Sequence, residues 1–240
     1  MACVLAAVTV SYASDAQWLD VEGQIQYGFY TEDLRALSSL AARLDSKEGA
    51  EPLQSYYAGL AYYRLAQTDA AHDRPRTAQA LDRCIANLDA ALQARPEWAD
   101  ALALQGACLG YLAQFKSLRA PLAGPHSRSQ LAHALQVEPH NPRSLLLDGT
   151  LEYERAGSPG SAAKAHACAQ FAAAVARFEA ARPEEEHVPE WGTAEGYTSS
   201  ARCHLEHGDP AAARDALERA LLIAPDYQLA RRLMARITAG

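Results

Sequence analysis

The hexad Ala91-Leu92-Gln93-Ala94-Arg95-Pro96 returns along the chain as Ala134-Leu135-Gln136-Val137-Glu138-Pro139 and as Ala220-Leu221-Leu222-Ile223-Ala224-Pro225. A weaker copy, Phe178-Glu179-Ala180-Ala181-Arg182-Pro183, lies between the last two. The four prolines are 43, 44 and 42 residues apart. A repeat in this range predicts a solenoid, in which similar helical units stack side by side.

Each hexad is predicted to end a helix, because Ala and Leu favour helices and proline cannot continue one. The next helix is expected at once, since proline is well tolerated in a first helical turn. No convincing two-residue alternation is present, so the fold is predicted to be all-α. The length of 240 residues suits four or five helix pairs, predicted at 15–44, 52–95, 98–137, 142–182 and 190–224. The stretches Pro121–Pro125 and Gly157–Gly160 are predicted to be loops.

The last unit, from Ala194 to Tyr227, resembles one tetratricopeptide repeat. The resemblance rests on an early aromatic residue, small residues where helices approach closely, a glycine turn and a closing proline: Tyr197, Ala201, Gly208-Asp209, Ala213, Leu217, Ala220 and Pro225. Earlier units match in part through Gly59, Gly106 and Gly149. They depart from the family by extra residues between the two helices, at 68–77 and 116–127. Sel1-like repeats are a near alternative, but the closing prolines favour the tetratricopeptide interpretation.

This resemblance implies a right-handed superhelical solenoid of antiparallel helix pairs. Residues 52–227 would form the repeats, residues 14–51 a degenerate N-terminal pair and residues 228–240 a capping helix. Such solenoids are non-catalytic scaffolds that bind a protein or peptide partner in a concave groove lined by the first helices. The candidate partner-binding residues are Tyr56, Leu60, Tyr63, Leu146, Tyr153 and Arg202. The Asn, Lys and Arg residues of the carboxylate-clamp members do not recur, so an apolar or extended peptide is expected instead.

The first 13 residues are predicted to be a signal peptide. Ala2 to Val10 form a short apolar run, and Ser11-Tyr12-Ala13 places small residues at the positions that define cleavage. The expected location is therefore periplasmic or secreted, and the run is too short to span a membrane. No Lys or Arg precedes the run, so the alternative is an apolar N-terminal helix of a cytoplasmic protein.

Four cysteines lie at matched heights around two helix junctions. Cys84 is twelve residues before Pro96 and Cys108 is twelve after it. Cys168 is fifteen before Pro183, and Cys203 is fourteen after Pro189, where the next helix is expected to open. Residues equidistant from the turn of a helical hairpin lie level with each other, so disulfides Cys84–Cys108 and Cys168–Cys203 are predicted. The alternative is four buried free thiols.

The remaining features argue against most other functions. A net charge of −7 argues against nucleic-acid binding, and no phosphate-binding loop or nucleophile motif is present, so we expect neither catalysis nor a cofactor. Cys203-His204-x-x-His207 matches no established metal motif, and we predict no metal site there. The alternative function is a small-ligand or metal-binding accessory protein or enzyme subunit, using the region around His166, Cys168, Cys203 and His207.

Overall fold

Helices are the regular elements of the described chain, and no strand occurs among these residues. The computed structural model describes residues 4–45, 50–70, 73–114, 120–181 and 189–239, and for residues 4–15, 120 and 121 it describes the backbone alone. The helices are α1 (Val4–Tyr30), α2 (Leu34–Leu44), α3 (Pro52–Asp69), α4 (Arg74–Ala94), α5 (Ala99–Gln114), α6 (Ala120–Val137), α7 (Pro142–Arg155), α8 (Ala162–Ala180), α9 (Thr193–Glu206), α10 (Pro210–Ile223) and α11 (Gln228–Ala239).

The N-terminal segment is described only in part. Residues 1–3 of the predicted signal peptide lie outside the described residues, and the backbone of 4–13 belongs to α1. None of the described helices is both long and apolar enough to cross a membrane. The assignment of residues 1–13 as a signal peptide, and of 14–51 and 228–240 as terminal units, remains a prediction.

The helix ends follow the local sequence. α4, α6 and α10 each end two residues before a hexad proline, at Ala94, Val137 and Ile223, which confirms that the hexads terminate helices. Several helices start at a short polar side chain that accepts from a backbone N–H two or three residues later. These N-caps are Asp33, Asp73, Asn141, Ser161 and Asp209.

The predicted loop at Pro121–Pro125 is wrong, because α6 already begins at Ala120 and contains both prolines. Pro121 is tolerated in the first turn, where backbone N–H groups have no partner within the helix. The missing N–H of Pro125 costs one helical hydrogen bond. The packing of α6 against α5 offsets that loss, since Leu131 is buried and the Ser127 hydroxyl donates to the carbonyl of Gly106 at 2.7 Å. The other predicted loop, Gly157–Gly160, does lie between α7 and α8.

Glycines in three first helices let the second helix of each pair approach closely. An added Cβ would lie 2.7 Å from Leu88 at Gly59, 2.8 Å from Leu131 at Gly106 and 2.9 Å from Phe171 at Gly149. In the last pair Ala201 and Leu217 are both fully buried in the same core cluster. Consecutive helices pack in antiparallel pairs and each pair packs on the next, so the fold is an all-α solenoid.

The first and last helices of the solenoid also meet. The rings of Tyr30 in α1 and Tyr227, next to α11, have centroids 4.6 Å apart. Beside them, the Arg232 guanidinium donates two hydrogen bonds, of 2.5 and 3.0 Å, to the carboxylate of Glu32. These contacts join the two ends of the solenoid at its concave side.

Replacing Gly106 by alanine tests the close approach of α5 and α6. The new Cβ would meet Leu131 Cγ at 2.8 Å and two backbone atoms, the Ser127 oxygen and the Leu131 nitrogen, at 3.1 and 3.2 Å. Backbone atoms cannot swing aside, so Gly106→Ala is expected to lower the free energy of unfolding by about 1–3 kcal/mol in urea denaturation.

Gly23→Ala is the matched control. Gly23 lies on an exposed position of α1 with nothing within 4 Å of an added Cβ. Alanine there should raise the free energy of unfolding by up to about 1 kcal/mol, because it favours the helix. Equal effects of the two substitutions would refute the close-packing interpretation.

Candidate functional site: a cavity on the concave face

The concave side of the solenoid holds a cavity of about 620 Å³. Side chains from α1, α3, α5, α7, α9 and α11 line it, and Trp191, just before α9, completes the wall. The odd-numbered helices, which are the first helices of each pair, are therefore the ones that face the cavity. The size falls in the range at which proteins enclose a small ligand or a short segment of chain.

A buried ion pair between Arg64 in α3 and Glu195 in α9 forms one wall of the cavity. The Arg64 Nη2 donates to Glu195 Oε1, its Nε donates to Gln26 at 3.0 Å, and its Nη1 donates to Gln67 at 2.9 Å. Arg64 is only 2% exposed. Its guanidinium also lies over the ring of Phe29, 4.1 Å from the centroid, and over Trp191, at 4.8 Å. Aromatic faces and hydrogen-bond acceptors together compensate for the loss of water around the charge.

The Glu195 carboxylate receives further hydrogen bonds from α1. Gln26 Nε2 donates to it at 2.7 Å, and the Tyr30 hydroxyl donates at 2.9 Å. Burial, and next the negative charge of Glu195, raise the pKa of Tyr30 well above its usual value, so Tyr30 stays a protonated donor. One carboxylate thus joins α1, α3 and α9.

The charges that line the cavity form three pairs. Besides Arg64 and Glu195, Arg202 Nη2 donates to Glu154 Oε1 at 2.8 Å, and Arg232 pairs with Glu32. The lining contains no other Asp, Glu, Lys or Arg among the described residues. The described wall is therefore charged at several points but carries no net charge.

Two tyrosines of the wall are almost completely buried. Tyr63 and Tyr227 line the cavity, and each is 4% exposed. Neither hydroxyl has a hydrogen-bond partner within the described residues. Burial raises the pKa of both hydroxyls above the usual value. The aliphatic side chains of Leu146, Leu147 and Leu151 in α7 form an apolar part of the wall.

The predicted partner-binding residues fall into two groups. Tyr63, Leu146 and Arg202 line the cavity, and Tyr153 lies beside it, with its ring centroid 4.3 Å from the Arg202 guanidinium. Tyr56 and Leu60 have no exposed surface. Tyr56 stacks on Trp98 and accepts a hydrogen bond from Trp191 Nε1 at 2.9 Å, so it supports the wall from behind. The role of all six residues in partner binding remains a prediction.

Sequence reasoning missed most of the wall, including Phe29, Trp191, Glu195 and Tyr227. Trp191 occurs in the same Pro-Glu-Trp context as Trp98, and that pattern indicated only a helix start. Phe29 and Tyr227 reach the cavity because the two ends of the solenoid meet, which no local pattern signals.

A second buried carboxylate, Glu22 in α1, anchors the segment that leads to Trp191. Its oxygens accept from the Tyr57 hydroxyl at 2.9 Å and from the backbone N–H of Glu190 at 3.1 Å. Burial raises the pKa of Glu22 from its ordinary 4.5 to about 7, against the opposing effect of these hydrogen bonds. The folded protein therefore holds this proton more tightly than the unfolded chain does.

Replacing Glu22 by glutamine is expected to remove a pH dependence of stability. In the native protein the stabilisation from Glu22 is complete below about pH 4.5 and is lost as the pH rises through about 7. Glutamine resembles the protonated acid and does not titrate. Relative to Glu22→Gln, the native protein should therefore lose up to about 3 kcal/mol of unfolding free energy over that range.

The measurement is urea denaturation at several pH values, beside the exposed control Glu97→Gln. Parallel pH profiles for the native protein and Glu22→Gln would contradict the raised pKa.

The four cysteines lie in two pairs at disulfide-bonding distance, as the sequence predicts. Cys84 in α4 faces Cys108 in α5 with a Cα–Cα distance of 6.4 Å, and Cys168 in α8 faces Cys203 in α9 at 5.8 Å. Each pair joins a second helix to the first helix of the next unit. In the described chain no group of three or more His, Cys, Asp or Glu is placed to hold a metal ion. In the alternative metal-binding region, Cys168 and Cys203 lie at disulfide-bonding distance from each other.

Both disulfides are expected to form in the protein purified from an oxidising compartment. Reduction should raise the intact mass by two hydrogens for each bond. Each bond should contribute on the order of 3 kcal/mol to stability, because the closed loops span 24 and 35 residues. Denaturation of Cys84→Ala/Cys108→Ala and of Cys168→Ala/Cys203→Ala, each beside the oxidised native protein, measures the two contributions. An unchanged mass on reduction would contradict the pairing.

The comparisons with known proteins concern the fold. No protein-family model and no curated protein sequence matches this chain. Among solved structures it is similar to a thermophilic tetratricopeptide-repeat protein of Thermus thermophilus, with a TM-score of 0.54 and 19% sequence identity. The similarity covers 85% of this chain and 90% of that one. The chain is thus a repeat protein with a tetratricopeptide-like fold, as the last unit of its sequence predicts.

Proposed function

We propose that this protein is a non-catalytic scaffold that binds a short segment of a protein partner in the concave cavity. The observation that carries the proposal is the convergence of all the first helices on one cavity. A tetratricopeptide-like fold suggests protein interaction, since stacked helix pairs present a continuous concave surface to another chain. The described cavity offers aliphatic, aromatic and hydrogen-bonding groups together, which suits a peptide.

The size of the cavity favours a short segment such as the tip of a loop. The contacts of Tyr30 with Tyr227 and of Glu32 with Arg232 gather the concave surface around about 620 Å³ of space. A long extended peptide would need an open groove instead. A small molecule is the second candidate, because pockets of this volume commonly enclose one.

The two cysteine pairs fit an oxidising, extracytoplasmic compartment. We propose that the protein is exported to the periplasm or secreted, with residues 1–13 as the signal. The cytoplasmic alternative predicts free thiols at all four positions, which the mass measurement above distinguishes.

Filling the cavity tests the proposed function. Ser199 in α9 is half-buried and lines the cavity, whereas the neighbouring Ser200 is half-buried but is not part of the lining. The tryptophan of Ser199→Trp is expected to occupy the space. The amount of partner captured by cross-linking from the native cells should then fall at least tenfold. Ser200→Trp should keep that partner.

Circular dichroism of both variants checks that they fold. Equal capture by the native protein and the two variants would show that the partner binds elsewhere.

A further inference from the structure

We infer that the cavity selects an uncharged segment, and that the hydroxyls of Tyr63 and Tyr227 are the donors that bind it. The inference rests on the proposed function, because it takes a protein segment as the occupant. It adds the chemistry of that segment and two specific residues that recognise it.

The two hydroxyls are available to a ligand. Tyr63 and Tyr227 line the cavity, and among the described residues no group accepts a hydrogen bond from either hydroxyl. Neither oxygen is among the side-chain atoms that are both closed off from solvent and without a partner, so both hydroxyls are accessible from the cavity. A ligand that fills the cavity displaces the water there. It must then accept hydrogen bonds from the two hydroxyls, because a donor that loses water without gaining a partner costs about 1–3 kcal/mol.

The hydroxyls act as donors at physiological pH. Burial raises the pKa of Tyr63 and of Tyr227 above the usual value for tyrosine, so both stay protonated. Gln67, on the same helix as Tyr63, uses its carbonyl oxygen to accept from Arg64, which leaves its amide N–H₂ without an acceptor in the described chain. The two hydroxyls and the Gln67 amide are therefore donors of the cavity wall, beside the hydroxyl of Ser199. The matching ligand atoms are acceptor oxygens such as peptide carbonyls or side-chain amides.

The paired charges of the wall disfavour a charged ligand. Each of Arg64, Arg202 and Arg232 already contacts a carboxylate, and each of those carboxylates lines the same cavity. A charged side chain that reached the buried pair of Arg64 and Glu195 would lose its water and would have to displace an existing partner. The aliphatic surface of Leu146, Leu147 and Leu151 instead favours uncharged apolar side chains between the acceptor groups.

The test uses a displayed library of random peptides, selected in parallel on the native protein and on Ser199→Trp. Peptides enriched only by the native protein are expected to be poor in Asp, Glu, Lys and Arg. The best of them is then synthesised, and its dissociation constant is measured by calorimetry. Changing one central uncharged residue of that peptide to Asp or to Lys should weaken binding at least tenfold.

Removal of the hydroxyls tests the two residues directly. Tyr63→Phe and Tyr227→Phe are each expected to raise the dissociation constant of the selected peptide by about fivefold or more. This is the effect expected for the loss of one hydrogen bond. The free variants should melt at the same temperature as the native protein or higher, because no protein hydrogen bond is lost. Tyr62→Phe is the control: its hydroxyl donates to Asp45 at 3.3 Å, away from the cavity, so peptide affinity should not change.

The outcomes separate the inference from the proposed function. Cavity-dependent peptides that are rich in charge, or that bind both phenylalanine variants as tightly as the native protein, overturn the inference and leave the proposed function standing. A selection that enriches no peptide on the native protein over Ser199→Trp overturns both.

Discussion

The ion pair between Arg64 and Glu195 holds the cavity together, because it joins helices whose residues are 131 positions apart in the chain. Burying two charges is unfavourable unless their hydrogen bonds are met. Here Gln26 and Gln67 accept from the guanidinium, and Gln26 and Tyr30 donate to the carboxylate. Loss of either charged partner would leave the other buried alone. The closure of the solenoid therefore depends on a network that forms only when α1, α3 and α9 are all in place.

The curvature that brings those helices together arises from much simpler contacts. Gly59, Gly106 and Gly149 lie where a large side chain of the second helix reaches the first helix, which fixes the distance within each pair. A similar contact in each unit gives a similar orientation of the next unit. Repeated packing thus places the last unit near the first. The ion pair and the contact between Tyr30 and Tyr227 then hold that closure.

The difference between repeated local contacts and the long-range network explains which features the sequence predicts well. The helix ends, the all-α solenoid and the two cysteine pairs depend on local features: hexad prolines, small residues and equal heights in a hairpin. Tyr63, Leu146 and Arg202 were predictable as cavity residues because they occupy first helices. Glu195, Phe29 and Tyr227 were not, since their position depends on the summed rotation of all the units. Pro125 misled the prediction of α6 because burial of Leu131 outweighs one missing hydrogen bond.

The two disulfides are positioned to hold the walls of the cavity. Cys108 follows Ala107 in α5 and Cys203 follows Arg202 in α9, and both preceding residues line the cavity. Each bond ties its first helix to the second helix of the previous unit, at a joint where a solenoid can otherwise flex. The wall carries hydroxyls with no acceptor among the described residues, and its charges are held in pairs. Cross-links at these joints limit the alternative arrangements, so the donors stay in place for a ligand rather than folding inward to find partners of their own.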